Sequence, residues 1–220
     1  MSNINLGSGT NYFRDLEDDV LDDKPMVIAG SVSSDSATDS VGLGTGATAI
    51  QFIYLNDSYV GQTPEVVLMN GTTGVNTVAT DILRIQDIQV VGGVANVGNI
   101  YIGTGTITGG KPANVYGMIP AGKSSSNTMV QTVPDGFNAY PVASGVSCKN
   151  TEHIESIVTV TLNGIRYQKG GRFSTENDPV VQYNFGLPIP EHSDIMMEVK
   201  AVSGTADVYG HAEFILVPNS

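Results

Sequence analysis

Apolar and polar residues alternate with period two through most of this chain. The clearest stretch is Asp207–Val217. Val208, Gly210, Ala212, Phe214 and Leu216 fall on one face, and Asp207, Tyr209, His211, Glu213 and Ile215 on the other. That period belongs to a strand with one face in a core and one towards water. Phe214 and Leu216 are therefore expected in the core. Together with Asp194–Val202, joined through Ser203-Gly-Thr-Ala206, this stretch predicts a closing hairpin. Pro188 and Pro190 cannot donate to a central ladder, so they mark the connection that enters it.

Similar stretches occur upstream. Met26–Ala29 opens the strands after Pro25, and Ala49–Leu55, Glu65–Met69, Asp81–Val91, Gly98–Ile102 and Asn114–Ile119 follow. The second half carries Thr128–Val133, Phe137–Ser147, Ile157–Leu162, Ile165–Phe173 and Val180–Asn184. Turn chemistry separates them at Asn56-Asp57, Asn70-Gly71, Pro134-Asp135-Gly136 and Asn163-Gly164, the last being the two-residue signature of a primed hairpin turn. Ser31–Gly46 reads as a polar loop and Gly103–Gly110 as a glycine-rich connection. About a dozen strands and no amphipathic helix of normal length predict an all-β protein. The expected form is an antiparallel, jelly-roll-like β-sandwich over residues 25–220, preceded by an extended N-terminal arm over residues 1–24.

The arm differs from the rest in charge. Six of the 22 acidic residues lie between Asp15 and Asp23. Tyr12, Phe13, Leu16, Val20 and Leu21 stand among them, too few apolar side chains to fold alone. They are the candidate protein-contact residues, for burial against a neighbouring subunit.

Composition narrows the function. The balance of 10 Lys+Arg against 22 Asp+Glu leaves a net charge of −12, which opposes docking on a phosphate backbone, so no nucleic-acid partner is expected. The segment MSNINLGSGT has no apolar core of a secretory signal, and no run of about 18 apolar residues predicts a membrane helix. The single cysteine, Cys148, excludes an intrachain disulfide and reads as a small buried hydrophobe.

Gly117-Met-Ile-Pro-Ala-Gly-Lys-Ser124 matches the phosphate-binding G-x-x-x-x-G-K-S pattern letter for letter. That motif needs a helix to follow, because the helix N-terminus faces the anion. The residues that follow here, up to Pro134, are β-formers, and no βαβ alternation surrounds them. The expectation is a turn at Pro120–Lys123 between two antiparallel strands. Asp35 and Asp39 offer two carboxylates but lack the glycine spacing of a calcium loop. The three histidines, His153, His192 and His211, carry no ligand spacing, and Glu152-His153 and Glu191-His192 read as surface turns. No nucleophile elbow occurs. No catalytic residue, metal ligand or cofactor is assigned, and the protein is expected not to be an enzyme.

One resemblance extends this reading. Ser33–Gly46, Val66-Val-Leu-Met-Asn-Gly-Thr-Thr73, Val75 and Ile82-Leu-Arg-Ile85 occur in an order that resembles virion structural proteins of tailed, mostly marine, bacteriophages. Ile119-Pro-Ala-Gly-Lys123, Val133-Pro-Asp-Gly136 and Leu187-Pro-Ile-Pro-Glu-His-Ser-Asp-Ile195 resemble the second half of the same group. Asp135 departs from it, since alanine is usual between that proline and glycine. The arm lies outside the resemblance. The resemblance implies a virion component assembled in the host cytoplasm, of capsid decoration or cement type. Its expected partners are capsid or other virion proteins and further copies of itself, a trimer by analogy. The alternative is a carbohydrate-binding or tail- or fibre-associated module for host attachment. That module would need exposed aromatics drawn from Tyr101, Tyr116, Tyr140, Tyr167, Tyr183 and Tyr209, because the chain has no Trp.

Overall fold

The computed structural model describes residues 2–6, 26, 28–127, 130–149, 154–174, 181–182, 187–201 and 206–219. Among these there is no helix, and every strand pairing is antiparallel. Among the described residues no helix is long and apolar enough to cross a membrane. Where the sequence suggested one sandwich over residues 25–220, the chain divides into two compact units. One is Leu21–Thr128; the other is Met1–Val20 together with Met129–Ser220.

Eight strands build the unit Leu21–Thr128: β2 (Ser31–Ser34), β3 (Ala47–Asn56), β4 (Glu65–Leu68), β5 (Val75–Asn76), β6 (Ile82–Gly93), β7 (Ile100–Thr108), β8 (Lys111–Ile119) and β9 (Ser125–Asn127). They form two four-stranded sheets, β5-β2-β7-β8 and β4-β3-β6-β9. One buried cluster holds both sheets. Val32, Ile100, Ile102 and Ile119 come from the first, and Ile50, Phe52, Tyr54, Val67, Ile82, Ile85 and Ile88 from the second. Branched side chains suit this role because they are stiff at χ1 and fill a pleated surface well. On β3 the alternation is plain: Ile50, Phe52 and Tyr54 are buried, while Gln51 and Ile53 face outward.

The other eight strands are β1 (Ser2–Leu6), β10 (Val130–Thr132), β11 (Phe137–Lys149), β12 (Ile154–Leu162), β13 (Ile165–Ser174), β14 (Val181–Gln182), β15 (Asp194–Ala201) and β16 (Ala206–Pro218). Their sheets run β1-β16-β11-β14 and β10-β15-β12-β13. Val133, Ala139, Val160, Ile189 and Ile195 form a buried cluster, with Phe137, Val158 and Phe214 packed on it, so side chains of both sheets meet there. Asn163 and Gly164 have φ of +53° and +74°, and Leu162 pairs with Ile165. This is the two-residue turn with both central residues left-handed that the dipeptide predicts.

Five local expectations are corrected. First, Asp194–Val202 and Asp207–Val217 do not form a hairpin. β15 pairs with β10 and β12, while β16 pairs with β1 and β11. Alternation states which face of a strand is buried; it does not state which strand lies alongside. Second, Leu216 is exposed at 46% although it shares the alternation of Phe214. Third, a strand precedes Pro25: Ser2–Leu6 runs antiparallel to Gly210–Ala206. Ser-Asn-Ile-Asn-Leu is short and polar, but an available strand edge completes its hydrogen bonds. Fourth, the first strand of the unit Leu21–Thr128 is Ser31–Ser34; of the expected Met26–Ala29, the described Met26 donates its N–H to the Leu83 carbonyl and Ile28 forms an isolated bridge with Ile82. Ser33 and Ser34 are small enough to be wholly buried, so a polar composition hid an interior strand. Fifth, Gly103–Gly110 is no linker. β7 continues through Gly103 and Gly105 to Thr108, with register shifts after Ile102 and Thr104. Glycines inside strands mark such bulges.

Candidate protein-contact site

The most constrained surface region of the unit Leu21–Thr128 is the set of loops around Asp39. Asp39 is fully buried. Its Oδ1 accepts the backbone N–H of Ala47 and of Val97, both at 2.9 Å. Its Oδ2 accepts the Ser34 hydroxyl at 2.7 Å and the N–H of Gly98 at 2.9 Å. Four donors fill the four lone-pair directions of the carboxylate. A calcium ion needs those same oxygens, so Asp39 serves as a clamp between chain segments and not as a ligand. Both neighbouring glycines are required by close approach. A Cβ on Gly46 would collide with Asp39 Oδ1, and one on Gly98 with Asp35 Oδ1. Asp35 repeats the device nearer the surface. It accepts the N–H of Asn99 at 2.8 Å, the Asn99 amide at 3.0 Å and the Tyr101 hydroxyl at 3.2 Å.

Asn96 extends this lacing to the segment that carries the phosphate-loop letters. Its amide donates to the carbonyls of Gly98 at 2.7 Å and Pro120 at 2.8 Å. Its side-chain oxygen accepts the N–H of Ser124 at 3.0 Å. The N–H of Gly122 goes to the Asn96 carbonyl at 2.8 Å, that of Ala121 to Asn99 Oδ1 at 2.9 Å, and that of Lys123 to the Pro120 carbonyl at 3.1 Å. The four consecutive N–H groups that would cradle a phosphate are thus all engaged by the protein itself. Gly117 lies within β8, and Ser125–Asn127 continues as a strand. Gly117–Ser124 is strand, turn and strand entry, as its flanking residues suggested, with the two strands in different sheets.

The loops fixed in this way carry apolar side chains pointing to solvent. Val41 is 56% exposed and Leu43 70%, on the loop between Asp39 and Ala47. Val94 and Val97 are also exposed. Val94 is tied beside the first loop by its N–H to the Gly46 carbonyl at 3.3 Å, and a Val97 methyl lies against Gly46. Exposed apolar groups on loops that have already lost their backbone freedom cost little further entropy on binding. Such a surface is suited to contact with another protein.

The other candidates fall as follows. Tyr12, Phe13, Leu16, Val20 and Leu21 lie outside the described residues, as does His153. Cys148 sits on β11 opposite Val208, and His211 on β16 opposite Gly145. Tyr101 is buried and hydrogen-bonded to Asp35, and Tyr116 packs partly on the core. Tyr167 is 45% exposed, on β13 of the other unit. The aromatic platform that the sugar-binding alternative needs is therefore not assembled from Tyr101 and Tyr116. Sequence reasoning weighed Asp39 only as a calcium ligand and missed Asn96 and Asn99. Their signal is an acid or amide near glycines within Ser31–Gly46 and Val94–Asn99, where composition alone reads as loop. Neither a known family model nor a curated protein sequence matches the chain.

Proposed function

We propose that this chain is a non-enzymatic structural protein of a tailed-bacteriophage virion, a decoration or cement protein that binds the capsid and associates with copies of itself. One observation carries the reading. The residues with the strongest chemical promise, Asp39 and the Gly117–Ser124 segment, have their hydrogen-bonding groups engaged in holding loops, and those loops present Val41, Leu43, Val94 and Val97 outward. A surface built this way supplies shape and apolar area for a protein partner. The resemblance in turn and strand signatures points to the same class. The acidic arm residues Tyr12, Phe13, Leu16, Val20 and Leu21 provide a second contact, directed at a neighbouring copy.

The test uses the full chain and capsids of the phage that encodes it. Leu43→Glu combined with Val94→Glu should leave the circular dichroism spectrum unchanged, because both side chains already face water. It should weaken cosedimentation with capsids about tenfold or more, the effect of removing central apolar anchors. Serine at the five arm positions keeps the Ser2–Leu6 strand and should lower the oligomer mass. Capsid binding equal to wild type in the loop variant would overturn the contact surface.

A further inference from the structure

We propose that the unit containing Met129–Ser220 carries a binding site for a borderline divalent metal ion, of the zinc, cobalt or nickel type, formed by Asp135, Glu191 and His192. These residues come from two turns that the sequence shows as unrelated punctuation. Their ligand atoms all lie within 4.8 Å of one another. His192 Nε2 is 2.9 Å from Asp135 Oδ1. Two cis ligands at metal bond lengths of about 2.1 Å stand about 3.0 Å apart in octahedral geometry, so this pair already has the spacing of a coordinated pair.

The scaffold beneath the three side chains is held by backbone bonds that do not involve them. The Val133 N–H donates to the Ser193 carbonyl and the His192 N–H to the Val133 carbonyl, both at 2.9 Å. Ala139 and Ile189 exchange two bonds of 2.8 Å. The two turns are therefore fixed against each other on both sides of the site. Glu191 is oriented through one oxygen alone. Its Oε2 accepts the Gly136 N–H at 2.7 Å and the Asn219 amide at 2.8 Å. Among the described residues, Glu191 Oε1 and Asp135 Oδ2 accept no hydrogen bond. A carboxylate fixed by one oxygen with the other open is the arrangement that outer partners give to metal ligands. His192 holds φ of +62°, a left-handed conformation uncommon for residues other than glycine, and its ring nitrogen meets Asp135 across the two turns.

One imidazole with two carboxylates selects the metal class. Calcium and magnesium favour all-oxygen sets, whereas imidazole nitrogen suits zinc, cobalt and nickel. Three protein ligands leave the remaining positions to water. The ion takes the place of the direct contact between His192 Nε2 and Asp135 Oδ1 and binds the imidazole in its neutral form. Bound there, it crosslinks the Pro134–Gly136 turn to the Pro190–Ser193 turn and raises the thermal midpoint of this unit. This proposal is independent of the virion reading.

The experiment titrates the untagged full chain, stripped with EDTA, with zinc chloride by calorimetry and with cobalt chloride by visible absorption. The variants are Asp135→Asn and His192→Asn; asparagine accepts a left-handed backbone, so the second removes the imidazole without straining the turn. Circular dichroism checks that both fold. The expected result is one saturable equivalent of metal, a cobalt d–d band, and a metal-dependent rise in thermal midpoint. Affinity should fall at least about tenfold in each variant. No saturable binding tighter than ~1 mM, or equal affinity in wild type and both variants, would overturn the site.

Discussion

The two units of this protein secure their loops by different means. In Leu21–Thr128, loops are tied by buried acid and amide side chains. Asp39 binds four donors, and Asn96 binds three carbonyls and an N–H. In the unit containing Met129–Ser220, the described turns are tied mainly by backbone bonds, at Val133–Ser193 and Ala139–Ile189, with charged groups at the surface. The described buried clusters differ as well. Ile50, Phe52, Ile82, Ile85, Ile88, Ile100, Ile102 and Ile119 of the first are essentially inaccessible to water. The cluster around Ile189 in the second is made of smaller or less deeply buried residues, although β12 and β15 also bury Ile154 and Val199 fully, and β15 buries Glu198 in an ion pair with the half-exposed Arg166. A side-chain clamp concentrates the stability of several loops in one residue, whereas backbone bridges distribute it. The first design is rigid but vulnerable at one point; the second tolerates substitution but leaves surface side chains available for ligands.

Five substitutions sharpen this contrast. The largest effect belongs to the core. Phe52→Ala should cost about 3–5 kcal/mol and Ile189→Ala nearer 2, since the second site is less completely enclosed. Urea denaturation followed by circular dichroism measures both; equal costs would remove the distinction between the cores. The clamp comes next. Asp39→Ala leaves three backbone N–H groups and a hydroxyl without their acceptor, for a loss on the order of 3 kcal/mol. Asp35→Ala should lose less than about 1 kcal/mol, because water can reach its donors. A small loss in the Asp39 variant would mean that the loops do not depend on one residue. A smaller effect than that of the Asp39 clamp lies at the hairpin turn of the second unit. Gly164→Val places a β-branched residue at φ of +74° and should cost about 1–2 kcal/mol. A variant as stable as wild type would show that the turn can change type without loss.

Within the chain itself, the sequence determined whatever depends on neighbouring residues. Strand positions were legible from two-residue alternation, as in β3, β6 and β12. The Asn163-Gly164 turn was legible because few dipeptides accept two left-handed residues in succession. The β-forming residues after Ser124 likewise excluded the helix that a phosphate loop needs. Tertiary structure alone decided which strands lie side by side. Ser2 pairs with Gly210, and β15 and β16 part into different sheets although a short connection joins them. An alternating strand satisfies its hydrogen bonds and buries its apolar face equally well beside many partners, so local pattern leaves the choice open. The candidate sites were hidden for the same reason. Asp39 gains its role only where Ser34, Ala47, Val97 and Gly98 converge on it. Asp135 and His192 become neighbours only because Val133 and Ser193, sixty residues apart in the chain, are bonded in the fold.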